Sequence, residues 1–303
     1  YFSHIPEKAY ETLEIKKSDL LKEKLKNIAT DRGFSPSALS NYLRNPMQFY
    51  FQRVLGINEV DEVEENVALN TLGTIIHNSL EELYKPFIDK FLTAGDFEWM
   101  LKEANNEITK QFNAVYSNNT DKLGKNLLAF EVAKRNIFHF LQMEKQAIEN
   151  GTALKIIGLE HRLSYEINDS RLPYPVKISG IVDRIEVRDN IVRIIDYKTG
   201  KVEKSNVTIQ HFEGLTKDLK YEKVIQLLGY ALMYQDHIKE QELQVAIYSF
   251  KNRKEGYLLF NLKENKEVYD LVTNEIVNQF KEELIQLILE ILNPEIDFIE
   301  NLN

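Results

Sequence analysis

The pattern of apolar and polar positions changes near Gly151, where a helical period gives way to a strand period. Before this glycine, apolar residues recur every three or four positions, as in helices that pack on a core. After it, shorter runs alternate between apolar and polar residues, as in half-buried strands. The pattern predicts a largely helical part, residues 1–153, and an α/β part, residues 154–303, which we expect to pack together as one continuous unit.

Five helices are expected in the first part. Ser18 is a candidate N-cap for the first helix and Ser35 for the second, because serine side chains accept hydrogen bonds from free N–H groups of a first turn. Gly151 should end the fifth helix. The helices are expected at about 18–28, 35–53, 76–86, 97–116 and 122–150.

The pattern of the second part predicts several strands, with one helix between them and another helix after the last strand. Strands are expected at about 154–165, 174–187, 191–197, 243–250 and 256–262. A helix is expected from Tyr221 to His237, and a last helix from about Glu264 to Leu292, ending before a proline. This order predicts an α/β fold in which a mixed β-sheet is flanked by helices.

Candidate chemistry lies on two consecutive strand runs. Asp196 follows Asp183 by 13 positions, and the turn dipeptide Asp189-Asn190 lies between them. A hairpin would bring both carboxylates together, with Lys198 on the same face as Asp196. Carboxylate oxygens suit Mg²⁺ or Mn²⁺, and a nearby ammonium suits hydrolysis of a phosphate ester. Spacing alone leaves open an ordinary ion pair at a strand end.

The stretch GIVDRIE followed by IIDYKTGK resembles the core motif of the RecB/AddB-type branch of the PD-(D/E)XK nucleases. The resemblance implies a restriction-endonuclease-like core, with Asp183 and Asp196 as metal ligands and Lys198 as the catalytic lysine. Three further segments resemble the family in the expected order between about Phe34 and Tyr234. They are the opening segment FSPSALSNYLRNPMQFYFQRVLGI, the histidine helix GTIIHNSLEELY and the Gln-xxx-Tyr helix VIQLLGYALMY.

The same resemblance implies roles for other residues. His77 would be a further metal ligand, although a lone histidine beside apolar positions is usually structural. Tyr197 would offer its backbone carbonyl to the metal, and Glu160 would be an additional catalytic acid on the preceding strand. Gln226 would act near the nucleophilic water or the scissile phosphate, although its helix face could also be core.

DNA contacts are expected from Tyr230, Lys201 and Arg184, although Arg184 should point away from the metal face and could be structural. Lysines and arginines recur near the site and could line a track for phosphates, although exposed charge is more often solvated. The net charge of −9 does not favour nucleic-acid binding in general, and acidic residues gather at 58–65.

The chain contains no cysteine. Many members of the resembled family hold an iron–sulfur cluster through four cysteines, and Asn45 occupies the first of those positions, so no such cluster can form. Without disulfides or a signal-like N-terminus, we expect a cytoplasmic protein. No apolar run is long enough to cross a bilayer. Because the chain begins at Tyr1, we expect it to be part of a longer protein.

The sequence therefore predicts a Mg²⁺- or Mn²⁺-dependent deoxyribonuclease, more narrowly an exonuclease, that acts in DNA end processing and recombinational repair. Its expected partners are single-stranded DNA or duplex ends and a helicase subunit or helicase-like segment. Two alternatives stay open. One is a catalytically silent DNA-binding or scaffolding module, and the other is a CRISPR-associated nuclease relative.

Overall fold

A computed structural model describes residues 12–57, 69–115, 124–237 and 241–301. The acidic run at 58–65 lies outside the described residues. The helices are α1 (Asp19–Asn27), α2 (Pro36–Arg44), α3 (Pro46–Phe49), α4 (Leu69–Tyr84), α5 (Ala94–Val115), α6 (Gly124–Glu149), α7 (Glu222–Tyr234) and α8 (Asn274–Leu292). The strands are β1 (Glu14–Ile15), β2 (Leu154–Ile167), β3 (Val176–Arg188), β4 (Ile191–Lys198), β5 (Thr208–Ile209), β6 (Leu243–Ser249), β7 (Tyr257–Leu259), β8 (Asn261–Glu264), β9 (Glu267–Tyr269) and β10 (Phe298–Ile299).

The main sheet has five strands in the order β2-β3-β4-β6-β7. The strands β2, β3 and β4 form an antiparallel meander, and β6 joins β4 in parallel through a connection that contains α7. Asp189 and Asn190 both have positive φ, +51° and +71°, which suits a tight turn between twisted strands. The predicted α/β fold with a mixed sheet flanked by helices is confirmed.

Helices cover both faces of this sheet. Neighbouring strand residues point to opposite sides, and apolar residues lie on both sides here. Ile194 packs in the core that includes residues of α2, α7 and α8, whereas Ile195 packs in the core that includes residues of α4, α5 and α6. Both isoleucines are fully buried. The helices of the first part therefore share a core with the strands of the second.

The last helix begins later than predicted. Residues from Glu264 onwards form a β-hairpin, in which Asn265 and Lys266 have positive φ between β8 and β9. The helix starts at Asn274, and the Thr273 side chain accepts a hydrogen bond from the Ile276 N–H. The prediction of a helix from Glu264 was wrong because a turn pair and a later N-cap outweigh the apolar period.

The predicted helix at 35–53 is interrupted at Asn45. This residue adopts an extended backbone, and its side chain accepts hydrogen bonds from the N–H groups of Met47 and Gln48. Because Pro46 cannot continue a helical ladder, α2 ends there and α3 begins.

Helix α4 brings a polar residue to the edge of the sheet. Its residues Ile76, Leu80 and Leu83 are buried, whereas His77 lies on the partly exposed rim. The helix ends at Tyr84, two residues before a proline, as predicted. Among the described residues, no helix combines the length and apolarity needed to cross a membrane.

Candidate metal centre

His77, Glu160 and Asp183 converge at one edge of the sheet. One ligand atom from each lies within 4.8 Å of the others. The His77 Nδ1 atom lies 3.4 Å from Asp183 Oδ1 and 4.0 Å from Glu160 Oε1. Three residues from α4, β2 and β3, far apart in the sequence, are thus brought to one point.

The register of β2 and β3 places Glu160 opposite Asp183. Leu159 pairs with Arg184 and His161 pairs with Val182, so the two acids face each other between those pairs. A bulge between Ile156 and Gly158 shifts the register upstream, and Glu160 has a φ of +42°. Because positive φ is uncommon for a residue with a Cβ, the backbone is strained where the strand delivers this carboxylate.

The strands β3 and β4 separate at Asp183. Their last paired residues on this side are Arg184 and Ile195. Beyond them, the Tyr197 N–H donates to the Asp183 carboxylate at 2.5 Å. The Tyr197 carbonyl oxygen lies 3.2 Å from His77 Nε2. The predicted Tyr197 carbonyl therefore lies beside the histidine, in position to serve as a further oxygen ligand.

Asp196 lies deeper than the other acids, with 2 % of its surface exposed. Its Oδ2 atom forms an ion pair of 2.6 Å with Lys198 Nζ. Its Oδ1 atom accepts hydrogen bonds from Gln226 Nε2 at 2.8 Å and from the Tyr230 hydroxyl at 3.1 Å. The structure thus assembles three predicted residues around one buried carboxylate, and the role of Asp196 as a metal ligand stays a prediction.

The crowded acids perturb one another. Burial and the charge of Asp183 raise the pKa of Glu160 to about 7. Burial and Asp183 also raise the pKa of Asp196, against the opposing effect of Lys198. Burial lowers the pKa of His77, but the hydrogen bond and charge of Asp183 outweigh it and leave a raised pKa. Each shift follows from several negative charges in a small, partly dry space.

A cavity of about 590 Å³ opens beside these groups. His77, Glu160 and Lys198 line it, so a substrate in the cavity would contact this acid and the lysine together. Gly73 of α4 also lines it, and a Cβ there would come within 3.7 Å of the Thr199 side chain.

The donor set suits a hard divalent cation. Two carboxylates, a backbone carbonyl and one imidazole match Mg²⁺ or Mn²⁺ better than a soft metal. In the described chain, His77 has a proton acceptor near each ring nitrogen, Asp183 Oδ1 and the Tyr197 carbonyl.

The prediction that Arg184 binds DNA is contradicted by its burial. Its side chain is fully buried, forms an ion pair with Glu186 and donates to the Tyr197 hydroxyl at 3.3 Å. The guanidinium carbon also lies 4.7 Å from the centre of the Tyr84 ring. Adjacent strand residues point to opposite faces, so Asp183 reaches the site and Arg184 the interior.

Sequence reasoning missed the buried polar network behind the site. Arg188 donates to Glu144 at 2.5 Å and to Glu186 at 2.8 Å, and both carboxylates are fully buried. The one signal in the sequence was Glu144, which lies at an inward-facing position of helix α6. This network holds Arg184, and through it the Tyr197 ring, beside the cluster of His77, Glu160 and Asp183.

The other expected DNA contacts differ in exposure. The Tyr230 side chain is buried and its hydroxyl is bonded within the site, so it faces Asp196 rather than solvent. Lys201 is exposed but forms an ion pair with Glu203. Lys220 likewise pairs with Asp218, and Lys223 pairs with Glu222. These lysines are therefore less available to bind DNA phosphates.

Comparison with known proteins adds relatives of this chain. An uncharacterised protein of Rickettsia felis is 30 % identical over 195 residues, which cover 61 % of this chain and 21 % of that protein. An uncharacterised protein of Rickettsia conorii is 28 % identical over 172 residues, covering 55 % and 19 %. A subunit of an ATP-dependent helicase/deoxyribonuclease from Streptococcus agalactiae is 25 % identical over 168 residues, covering 54 % and 14 %. The chain thus spans about a fifth or less of these relatives.

The family comparison covers most of the chain. The model of the PD-(D/E)XK nuclease superfamily matches residues 33–302. This match includes β2, β3, β4 and α7, which carry most of the clustered acids and their partners, and α4, which carries His77. The chain belongs to the PD-(D/E)XK nuclease superfamily.

Proposed function

We propose that this chain is a Mg²⁺- or Mn²⁺-dependent deoxyribonuclease of the RecB/AddB type. The observation that carries the proposal is the convergence of His77, Glu160 and Asp183 beside the ion pair of Asp196 and Lys198. If Asp196 and Lys198 formed only a structural ion pair at a strand end, the nearby histidine and the strained glutamate would have no explanation.

We further propose that the substrate is DNA with a free end, cleaved by exonuclease action during recombinational repair. Support comes from the streptococcal relative, whose name describes a helicase/deoxyribonuclease. Because the match covers only 14 % of that relative, we propose that this chain works within a longer protein or a complex with a helicase. The lack of cysteine is compatible with the reducing cytoplasm.

A divalent cation held by His77, Asp183, Asp196 and the Tyr197 carbonyl, with Glu160 as a further carboxylate, would polarise the phosphate and favour ionisation of an attacking water. Lys198 stays protonated in the folded chain, because the charge of Asp196 raises its pKa against the effect of burial. It therefore acts as a positive charge that stabilises the pentavalent phosphate, rather than as a base. Gln226 and Tyr230 hold Asp196 so that its other oxygen faces the lysine.

The test is a cleavage assay on linear single-stranded DNA with Mg²⁺ or Mn²⁺. Asp196→Asn and Lys198→Met should each lower the rate by about 1,000-fold or more. The first removes the carboxylate that pairs with Lys198 and is proposed to hold the metal, and the second removes the positive charge next to the reacting phosphate. Lys102→Met, an exposed lysine of α5, is the control and should keep the parental rate.

Thermal unfolding of Asp196→Asn should stay within a few degrees of the parent, because the amide keeps the shape of the carboxylate, and this separates chemistry from folding. Lys198→Met leaves Asp196 buried without its cation, so its rate is compared at a temperature where circular dichroism shows it folded. Cleavage at the parental rate by either site variant would contradict the assignment. A chain that neither cleaves DNA nor binds Mn²⁺ in calorimetry would instead be a scaffolding module.

A further inference from the structure

A second cavity, of about 440 Å³, carries an unusual set of cations. Arg32, Arg53 and Arg162 line it, and they come from three separate parts of the chain. The serines 35, 37 and 179 line it as well, and none of the lining residues that the structure describes carries a carboxylate. In a chain of net charge −9, three arginines around one cavity, with no acid among its described lining residues, form a local exception.

Backbone pairing builds this cavity. The Phe34 N–H donates to the Lys177 carbonyl and the Ser179 N–H donates to the Phe34 carbonyl, both at 2.9 Å, so the segment before α2 lies along β3. The Ser179 hydroxyl also donates to the Arg32 carbonyl at 2.8 Å. Gly33 has a φ of +82°, and a Cβ there would lie 2.8 Å from Ser179 Oγ. Only glycine allows this close approach, which fixes the position of Arg32.

Within the part of the chain that the structure describes, the three arginines lack the acidic partners that arginines usually have. Among the described residues, no ion pair within 4.0 Å involves Arg32, Arg53 or Arg162. The Arg53 Nε atom is buried and has no hydrogen-bond partner, and its Nη2 atom reaches only the Ser37 hydroxyl at 3.5 Å. Burial and then the charge of Arg32 lower the pKa of Arg53, as expected where like charges crowd together. An anion in the cavity would relieve both the repulsion and the unsatisfied donor.

The cavity and the candidate metal site lie next to each other along the hairpin formed by β2 and β3. Arg162 pairs with Ile181, and both line the cavity. Glu160 lies opposite Asp183 two residues further along the hairpin. Arg162 is two residues from Glu160, which corresponds to about 7 Å along a strand. Ser179 is four residues from Asp183, or about 13 Å. The cavity therefore lies within reach of a strand whose reacting phosphate is at the acids.

We propose that the cavity lined by Arg32, Arg53 and Arg162 binds a second, non-scissile phosphate of the same DNA strand whose scissile phosphate lies at the candidate metal centre. Guanidinium groups bind phosphate through paired N–H donors, and serine hydroxyls add further donors. The first turn of α2 starts at the same place and contributes the positive end of a helix dipole. This proposal rests on the proposed function, because it places the strand relative to the catalytic acids.

The bound group is a phosphate either within the strand or at its end, and the experiment distinguishes the two. Affinities are measured by fluorescence anisotropy in metal-free buffer for three single-stranded DNAs of equal length. One carries phosphates at both ends, one carries hydroxyls at both ends, and one is circular. Metal-free conditions prevent cleavage, so binding is read without any catalytic step.

Arg32→Gln combined with Arg162→Gln should weaken binding by roughly tenfold or more, and Arg162→Gln alone should weaken it less. The slope of log affinity against log salt should become shallower by about 0.7 for each phosphate that the variant no longer neutralises. An equal reduction on all three DNAs indicates an internal phosphate. A reduction confined to the phosphorylated DNA indicates a terminal phosphate.

Arg171→Gln is the matched control, because that arginine is already paired with Asp169 and Glu282. Both cavity variants bind Mn²⁺ like the parent if the fold and the acids are intact. DNA affinities of the double variant within twofold of the control would overturn the proposal. A parent that binds DNA through the cavity but never cleaves it would contradict the nuclease assignment instead, and would leave a phosphate site.

Discussion

Asp183 accepts a hydrogen bond of 2.5 Å from the backbone N–H of Tyr197, at the point where the β3–β4 ladder ends. Its other oxygen lies 3.4 Å from His77 Nδ1, while His77 Nε2 lies 3.2 Å from the Tyr197 carbonyl. Asp183, His77 and the backbone of Tyr197 thus form a closed set of contacts. The Asp183 carboxylate accepts the hydrogen bond that a backbone carbonyl of the neighbouring strand would otherwise accept. The sheet therefore opens where the acids meet.

Asp183→Asn should weaken Mn²⁺ binding by about 100-fold or more, because it removes a ligand charge while an amide oxygen can still accept from the Tyr197 N–H. The pKa of His77 should fall, since the hydrogen bond and charge of Asp183 are what raise it. Calorimetry with Mn²⁺ and NMR titration of the histidine would measure both effects. Asp189→Asn, the same change in the turn of the hairpin, should leave both unchanged. An unaltered Mn²⁺ affinity in Asp183→Asn would exclude this residue as a ligand.

Mn²⁺ binding should weaken as the pH falls through 7. Burial and Asp183 raise the pKa of Glu160 to about 7, and a protonated carboxyl does not bind a cation. The affinity should drop about tenfold per pH unit below 7 for each proton released, and should level off above pH 8. Glu160→Gln should remove one proton from this dependence. A pH-independent affinity between 6 and 8 would show that Glu160 is not in the ligand set.

The stability of the metal-free chain should respond to pH in the opposite direction. The folded pKa of Glu160 lies above the ordinary value of 4.5, so the folded state binds more protons between pH 4.5 and about 7. The free energy of unfolding contributed by this residue is therefore full below pH 4.5 and is lost as the pH rises through 7. Urea unfolding in EDTA would show the trend, and Glu160→Gln should flatten it.

Tyr230→Phe should lower the cleavage rate by roughly tenfold, because it removes one hydrogen bond to the charged Asp196 while Gln226 still donates. Gln226→Leu should have an effect of similar size. Since both donors act on the same oxygen, the double variant should lose more than the product of the two single effects. Strictly multiplicative effects in this cycle would contradict a shared role at Asp196.

Arg184→Met should lower the free energy of unfolding by about 3–5 kcal/mol, because it leaves Glu186 buried with less positive charge around it. Arg171→Met should have a much smaller effect, because solvent screens the exposed ion pairs that this arginine forms. Urea unfolding of both variants would measure the difference. Equal small effects would mean that the buried network does not stabilise the fold.

Gly229→Ala should destabilise the chain, although alanine favours helices by about 1 kcal/mol. A Cβ at this position of α7 would lie 2.8 Å from Pro36 Cγ, and a ring carbon cannot rotate away. We expect a net loss of about 1–2 kcal/mol in the free energy of unfolding. Gly200→Ala, which meets nothing within 4 Å, is the control. A stabilised Gly229→Ala variant would show that α2 and α7 can separate at no cost.

The sequence alone determined the elements and the hairpin chemistry of this protein. The apolar period predicted the helices and strands, and the Asp189-Asn190 turn with its flanking strands placed Asp183 near Asp196, because these depend on neighbours in the chain. The resemblance in local motifs added His77, Gln226 and Tyr230. The start of α8 was mispredicted, since a turn at Asn265 interrupts a pattern that reads as helical.

Only the tertiary structure decided what depends on residues far apart in the chain. The burial of Arg184, the carboxylate partners behind it and the gathering of Arg32 with Arg162 follow from how strands pair and helices pack. Periodicity indicates which face of an element is apolar, but it does not tell which elements meet. The electrostatic environment of Glu160 depends on which elements pack together, because burial and Asp183 of the neighbouring strand set its pKa.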